Sequence, residues 1–252
     1  MSVQQDKFEE IADAIRGKTN STDKIKPSEF ASKVNDVYEA GKQAERIARW
    51  NSFLSSIGDG RFAFAGGGWN DETFDPPIGT VIRPTYATSM FSGASITDLA
   101  KICREGDITL DFSLSTSASQ IFYATGNACL TSVGVINTTN ATSVYQVFRG
   151  QSNLHTIEKL VLKSNGSQTF NAVFESCSSL VNLTIEGVIG KAGFDVSPCT
   201  KLSHDSLMSI INALKSGVSG LTVTLGATNL AKMNERYPEK IAEAQGKGWT
   251  VA

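Results

Sequence analysis

The chain has 252 residues, 40% of them hydrophobic and 19% charged, with a formal net charge of −2 and a pI near 5.8. That length supports a sizeable core, while the near-neutral balance argues against a broad nucleic-acid face, which needs clustered Lys and Arg. No apolar run approaches the roughly 20 residues of a membrane helix, and the opening MSVQQDKFEE is polar and acidic, so neither membrane insertion nor a secretory leader is expected.

Residues 1–57 read as a helical segment. Phe8, Ile11, Ala12 and Ile15 fall on one stripe, which predicts a helix over 7–16 ended by Gly17. A second helix starts near Pro27, a favoured first helical position. From it, Phe30, Val34, Val37, Gly41, Ala44 and Ala48 follow a 4-3-4-3-4 spacing, the a/d pattern of a coiled coil. Residues 27–57 therefore admit a homotrimer; the alternative is that Phe30, Val34 and Val37 close over the first helix.

Residues 58–86 read as a linking segment. Gly58-Asp59-Gly60 stops the helix, and Phe62-Ala63-Phe64-Ala65 is a weak strand candidate. The triplet Gly66-Gly67-Gly68 lacks the Gly-Lys-Ser/Thr of a phosphate loop and reads as a tight backbone passage before Trp69. Asp75-Pro76-Pro77 is an extended lead-in.

Residues 87–200 carry an imperfect repeat. Phe148 and Phe174 are 26 residues apart, and each is followed six residues later by a Leu, Leu154 and Leu180. A short apolar run follows each Leu: Leu160-Val161-Leu162, then Leu183-Thr184-Ile185. Looser copies flank these: Met90-Phe91 with Ile96 and Leu99, Ile121-Phe122 with Leu130 and Val133, and Phe194 with Leu202. In each unit the Phe sits in a short turn and the Leu enters a short strand. Neither piece buries its apolar side alone, but stacked units form one continuous core. The fold class expected is α+β, a repeat solenoid.

Residues 201–252 change pattern and read as a cap over the open end of the stack. Ser203 is the expected N-cap of a helix whose inner face is Leu207, Ile210, Ile211 and Leu214. Leu221 to Leu225 alternates as a strand, Ala227 to Gln245 is helical with a break at Pro238, and Trp249-Thr250-Val251 is a final strand.

The repeats resemble the BspA-like class of bacterial leucine-rich repeats, with a Phe-x5-Leu signature ahead of a short strand. The tail, Leu202 to Leu207 with Leu225 to Leu230 and Lys247-Gly248-Trp249, resembles the end segment of such proteins from phages and prophages. Ile11 to Thr19 with Ile25 to Phe30 looks like a module at the start of phage tail and baseplate-associated proteins. The resemblance implies an irregular leucine-rich-repeat solenoid in a virion protein, made in the bacterial cytoplasm. It also implies contacts with other virion proteins.

Chemistry-bearing patterns are sparse. Cys103, Cys129, Cys177 and Cys199 lack the close spacing of a metal knuckle or a redox pair. His155 and His204 lie on different elements, and Ser203-His204-Asp205 is better read as a helix start than as a triad. Asp and Glu are scattered, so no cofactor, metal or catalytic residue is assigned. The five Asn-x-Ser/Thr sequons read as Asn and Thr richness. The function expected is a non-enzymatic structural protein of a phage tail, baseplate or fibre, binding a host-surface glycan or protein. The candidate surface, chosen by nearness to strands, is Thr138, Thr139, Asn140, Glu158, Lys159, Lys163, Asn182 and Glu186. The alternatives are a bacterial-surface polysaccharide depolymerase and a leucine-rich-repeat adhesin of a bacterium.

Overall fold

A computed structural model describes residues 13, 14, 17, 30–61, 63–66, 68–77, 80–99, 108–124 and 128–252. By compactness the chain divides into residues 1–53 and 54–252. The first unit is described mainly as α1, Phe30–Ser56, as the 4-3 spacing predicts. Most of the first helix expected over 7–16 lies outside the described residues. Along the coiled-coil stripe Val34, Gly41, Ala44 and Ala48 are exposed and Val37 is half-buried. Trp50 is buried, with Phe53 edge-on at 5.7 Å.

The second unit mixes helices with short parallel strands. β1 (Thr80–Ile82) pairs with β2 (Ile108–Leu110). Beyond them lie β3 (Ala118–Ser119), β4 (Ser132–Asn137), β5 (Ser143–Tyr145), β6 (Thr156–Val161), β7 (Thr169–Asn171) and β8 (Asn182–Glu186). These form two three-stranded sheets, β3-β5-β7 and β4-β6-β8, which the chain visits in alternation. The 26-residue interval of the sequence becomes the register: Ala118 pairs with Val144, Val144 with Phe170, and Thr156 with Asn182.

The repeated phenylalanines bind the copies together. The rings of Phe64, Phe91, Phe122, Phe148 and Phe174 stack in one column, 4.9–6.0 Å between neighbours and within 20° of parallel. Each ring is fully or almost fully buried, and offset stacking of this kind adds about 0.5–1.5 kcal/mol per pair beyond area burial. Backbone bonds repeat with the rings: the amides of Phe91, Phe122 and Phe148 donate to Ile121, Val147 and Val173 of the next copy. Gly150 donates to Glu175 O in the same ladder, at φ 85°, and a Cβ there would lie 2.3 Å from Ala124 O.

Two expectations change here. Phe64 lies in a turn rather than a strand and begins the aromatic column, so the column reaches into the stretch read as linking. At the far end Val196, not Phe194, takes the aromatic position. The amides of Gln151, Cys177 and Cys199 donate to the carbonyls of Phe148, Phe174 and Val196, and the amides of Leu154, Leu180 and Leu202 donate in turn to the carbonyls of Gln151, Cys177 and Cys199. Val196 is six residues ahead of Leu202, which restores the spacing. Phe194 instead meets Phe174 at 67° and Phe170 at 81°.

The C-terminal elements are α2 (His204–Ala213), β9 (Leu221–Val223), α3 (Ala227–Arg236), α4 (Pro238–Gly246) and β10 (Trp249–Val251). Ser203 caps α2 by accepting from Ser206 N, and Leu207, Ile210, Ile211 and Leu214 are buried, as expected. The helix break falls at Pro238, and β9 pairs in parallel with β10. α2 lies against the edge strand β8 and satisfies its backbone. Ser206 Oγ accepts from Leu183 N at 2.9 Å, and Ser209 Oγ accepts from Ile185 N at 2.8 Å. Among the described residues no helix is long and apolar enough to cross a membrane.

Candidate functional site

The outward side of the β4-β6-β8 sheet holds most of the side chains that the sequence nominates. β8 alternates strictly: Leu183 and Ile185 point in, and Asn182, Thr184 and Glu186 point out. β6 departs from alternation. Its register to β8 slips between Ile157 and Leu160, so Glu158 and Lys159 together face the single residue Thr184. Such a bulge re-aims side chains, and here it brings Lys159 Nζ to 2.7 Å from Glu186 Oε2. Both partners are well exposed, at 40% and 57%, so the pair contributes at most about 1 kcal/mol. Its effect is to fix the two charges on the face. Next to it Asn182 Nδ2 donates to Thr156 Oγ1 at 3.3 Å.

Where β6 and β8 end, the face falls into an open depression of about 610 Å³, lined by Thr139, Lys163, Asn165, Glu186 and Gly187 among others. Gly187 forms part of its floor at φ 98°, and a Cβ there would sit 2.3 Å from Leu162 O, so no side chain fits. Glu186 and Gly187 also line a second depression of about 570 Å³ that reaches α2, with Asp205, Ser209, Asn212 and Tyr237 on its walls. Glu186 therefore belongs to both hollows.

Of the eight nominated residues, Thr139, Lys163 and Glu186 come together in the first depression. Glu158, Lys159 and Asn182 stand on the strand face. Asn140 is exposed in the preceding turn and donates to Leu114 O at 3.1 Å. Thr138 is not a surface residue: it is fully buried. Its amide and hydroxyl both donate to Val161 O, and Gln168 Nε2 donates to its carbonyl at 2.7 Å. Two residues beyond the buried Ile136, Thr138 keeps that inward side and ties neighbouring copies together, against the expectation from strand proximity.

Asn165 and Gly187 were not anticipated, although one signal was present: Asn165 stands one 26-residue interval beyond Thr139. Tyr237 and Asp205 arrive from the C-terminal elements and carry no repeat signal. His204 packs its ring against Tyr237 at 5.7 Å, and His155 is exposed, with Nδ1 2.6 Å from Asn153 O. Among the described residues no group of three His, Cys, Asp or Glu is placed to hold a metal ion.

No family model, no curated protein and no solved structure matches the chain. The arrangement can bind: one anionic and one cationic group, several amides and hydroxyls, and an open hollow suit a polar partner.

Proposed function

We propose that the chain is a non-enzymatic component of a phage particle, of tail, baseplate or fibre type, that binds a host-surface glycan or protein. In this reading the copies wind into an irregular leucine-rich-repeat solenoid of the BspA-like kind, and the stretch 27–57 joins three copies of the chain. The observation that carries the binding role is the parallel register. Every copy adds one more exposed strand to the same face, and so builds a surface broader than any single loop offers. The open depression holding Thr139, Lys163 and Glu186 continues that face where β6 and β8 end.

The test is adhesion of the labelled protein to intact bacterial cells of several hosts, with Lys163→Ala and Glu186→Ala alongside. Adhesion by the parent chain and its loss in either variant supports the role. Release of sugars from the cell wall replaces it with a depolymerase. Mass spectrometry of purified particles tests the virion assignment, which falls if the chain is absent from every particle and present on bacterial surfaces.

A further inference from the structure

The second sheet, β3-β5-β7, presents a face of different chemistry. Ser89, Gln120, Gln146 and Ala172 all adopt left-handed φ values between 48° and 55°. The amides of the first three donate to Ser119, Tyr145 and Asn171 in the neighbouring copies. The residues just before these four are therefore equivalent: Thr88, Ser119, Tyr145 and Asn171 form one row. Two residues earlier a second row follows, Tyr86, Ser117, Ser143 and Thr169. The residues between the rows, Ala87, Ala118, Val144 and Phe170, are buried, so both rows point outward.

None of these eight positions is charged. The contrast with Glu158, Lys159 and Glu186 on the other sheet is direct. The first row holds a hydroxyl, a hydroxyl, a phenol and an amide at the strand spacing of about 4.8 Å. Its hydroxyls already adapt to one another: Thr88 Oγ1 lies 3.0 Å from Ser117 Oγ, and Ser117 Oγ donates to Ser119 Oγ at 3.2 Å. A hydroxyl that rotates donates to one neighbour and accepts from another. Tyr145 is 38% exposed at the C-terminal end of the middle strand, β5, and Tyr86 carries the guanidinium of Arg61 over its ring at 4.3 Å. Asp59 pairs with that guanidinium at 3.2 Å, so the charge at this end is compensated.

We infer that the β3-β5-β7 face is a binding site for a neutral polysaccharide, with the Tyr145 ring as the stacking platform and the Ser, Thr and Asn rows as hydrogen-bonding partners for sugar hydroxyls. The chemistry decides between partner classes. A nucleic-acid partner calls for clustered Lys and Arg, and the rows offer none; the core of a protein interface is rich in aromatic residues, Met and Arg and poor in Ser, whereas six of these eight positions are Ser, Thr or Asn. A neutral sugar ring presents an apolar C–H face to an aromatic ring and hydroxyls around its edge, and both have counterparts here. This inference rests on the reading of the chain as a binding protein and adds a second face to it.

Affinity electrophoresis of the full chain in gels containing dextran, mannan or galactan, with hyaluronan and polygalacturonate as acidic counterparts, tests it. At least one neutral polymer is expected to retard the protein and the acidic ones are not. Tyr145→Ala is expected to weaken that retardation about tenfold or more, and Tyr145→Phe to keep it within about threefold, because stacking survives without the hydroxyl. Thermal melting of each variant checks that the fold is intact. Retardation that Tyr145→Ala leaves unchanged, or preference for an acidic polymer, overturns the site while leaving binding through the charged face standing. No retardation in any gel also overturns it, and cell adhesion then judges the broader role separately.

Discussion

Phe148 is held between Phe122 and Phe174, with centroids 5.4 and 6.0 Å away and planes within 9°. Truncation to Ala removes two stacking partners at once and opens a cavity that neighbouring copies cannot close. Phe148→Ala is expected to cost about 3–5 kcal/mol, read from denaturant unfolding. Phe194 stands at the end of the column and meets its neighbours edge-on, so Phe194→Ala is expected to cost less. Ala172 gives an opposite sign. It sits at φ 48°, where a Cβ costs roughly 1–2 kcal/mol and glycine does not. Ala172→Gly is expected to be neutral or to stabilise by up to about 1 kcal/mol, since the unfolded chain gains freedom too. Cys177 supplies the pH dependence. Burial pushes its thiol from an ordinary 9.0 up to about 12, against the Gln151 amide, which acts the other way. A folded-state value above the unfolded one means that stability is complete below pH 9 and falls as pH rises towards 12. That loss approaches about 1.4 kcal/mol per pH unit from this one group. Cys177→Ala should be less stable at pH 8 but show a shallower decline above pH 9.

At the scale of elements, the C-terminal stretch 201–252 was the most legible part of the chain. Ser203 ahead of an apolar face, the alternation at Leu221 and the Pro238 break each rest on local chemistry, and each element forms close to where that chemistry places it. The 26-residue interval was legible for the same reason: it recurs as strand register. What sequence did not reveal depends on pairing. The bulge at Glu158 and Lys159 is two polar residues in a row, which alternation alone reads as a frayed strand. Thr138 reads as a surface residue by nearness to β4, but it stands two residues beyond the buried Ile136 and keeps the same inward side. The role of Ser206 and Ser209 was invisible because they look like the polar side of a helix. In fact they stand in for the missing next strand and hold the β8 amides. An unpaired strand edge invites pairing with another chain. Removing both hydroxyls by Ser206→Ala with Ser209→Ala leaves two amides unpaired, at about 1–3 kcal/mol each. Lower stability and a larger apparent mass at high concentration in light scattering are the expected results. A double variant with the parent's mass and stability would show that water replaces the hydroxyls.

The whole molecule raises the question of how many copies work together. The helix α1 has 27 residues and is about 40 Å long, yet along its stripe Val34, Gly41, Ala44 and Ala48 remain exposed in the single chain. Small residues at three of those positions let backbones approach closely, and Val34, 40% exposed, offers the larger side chain. The proposed homotrimer would bury this stripe and multiply any weak surface interaction, because linked faces would engage a repetitive cell surface together. The intact chain is therefore expected to have the mass of three copies in sedimentation equilibrium, and a chain beginning at residue 58 the mass of one. Val34→Asp in the intact chain should give the single-copy mass as well, since three buried carboxylates at one level of a seam repel and lose their water. Adhesion to cells should fall with it far more than binding of a short soluble oligosaccharide, which occupies one copy at a time. A single-copy mass for the intact chain at every concentration would remove multivalency from the account and leave each face to bind on its own affinity.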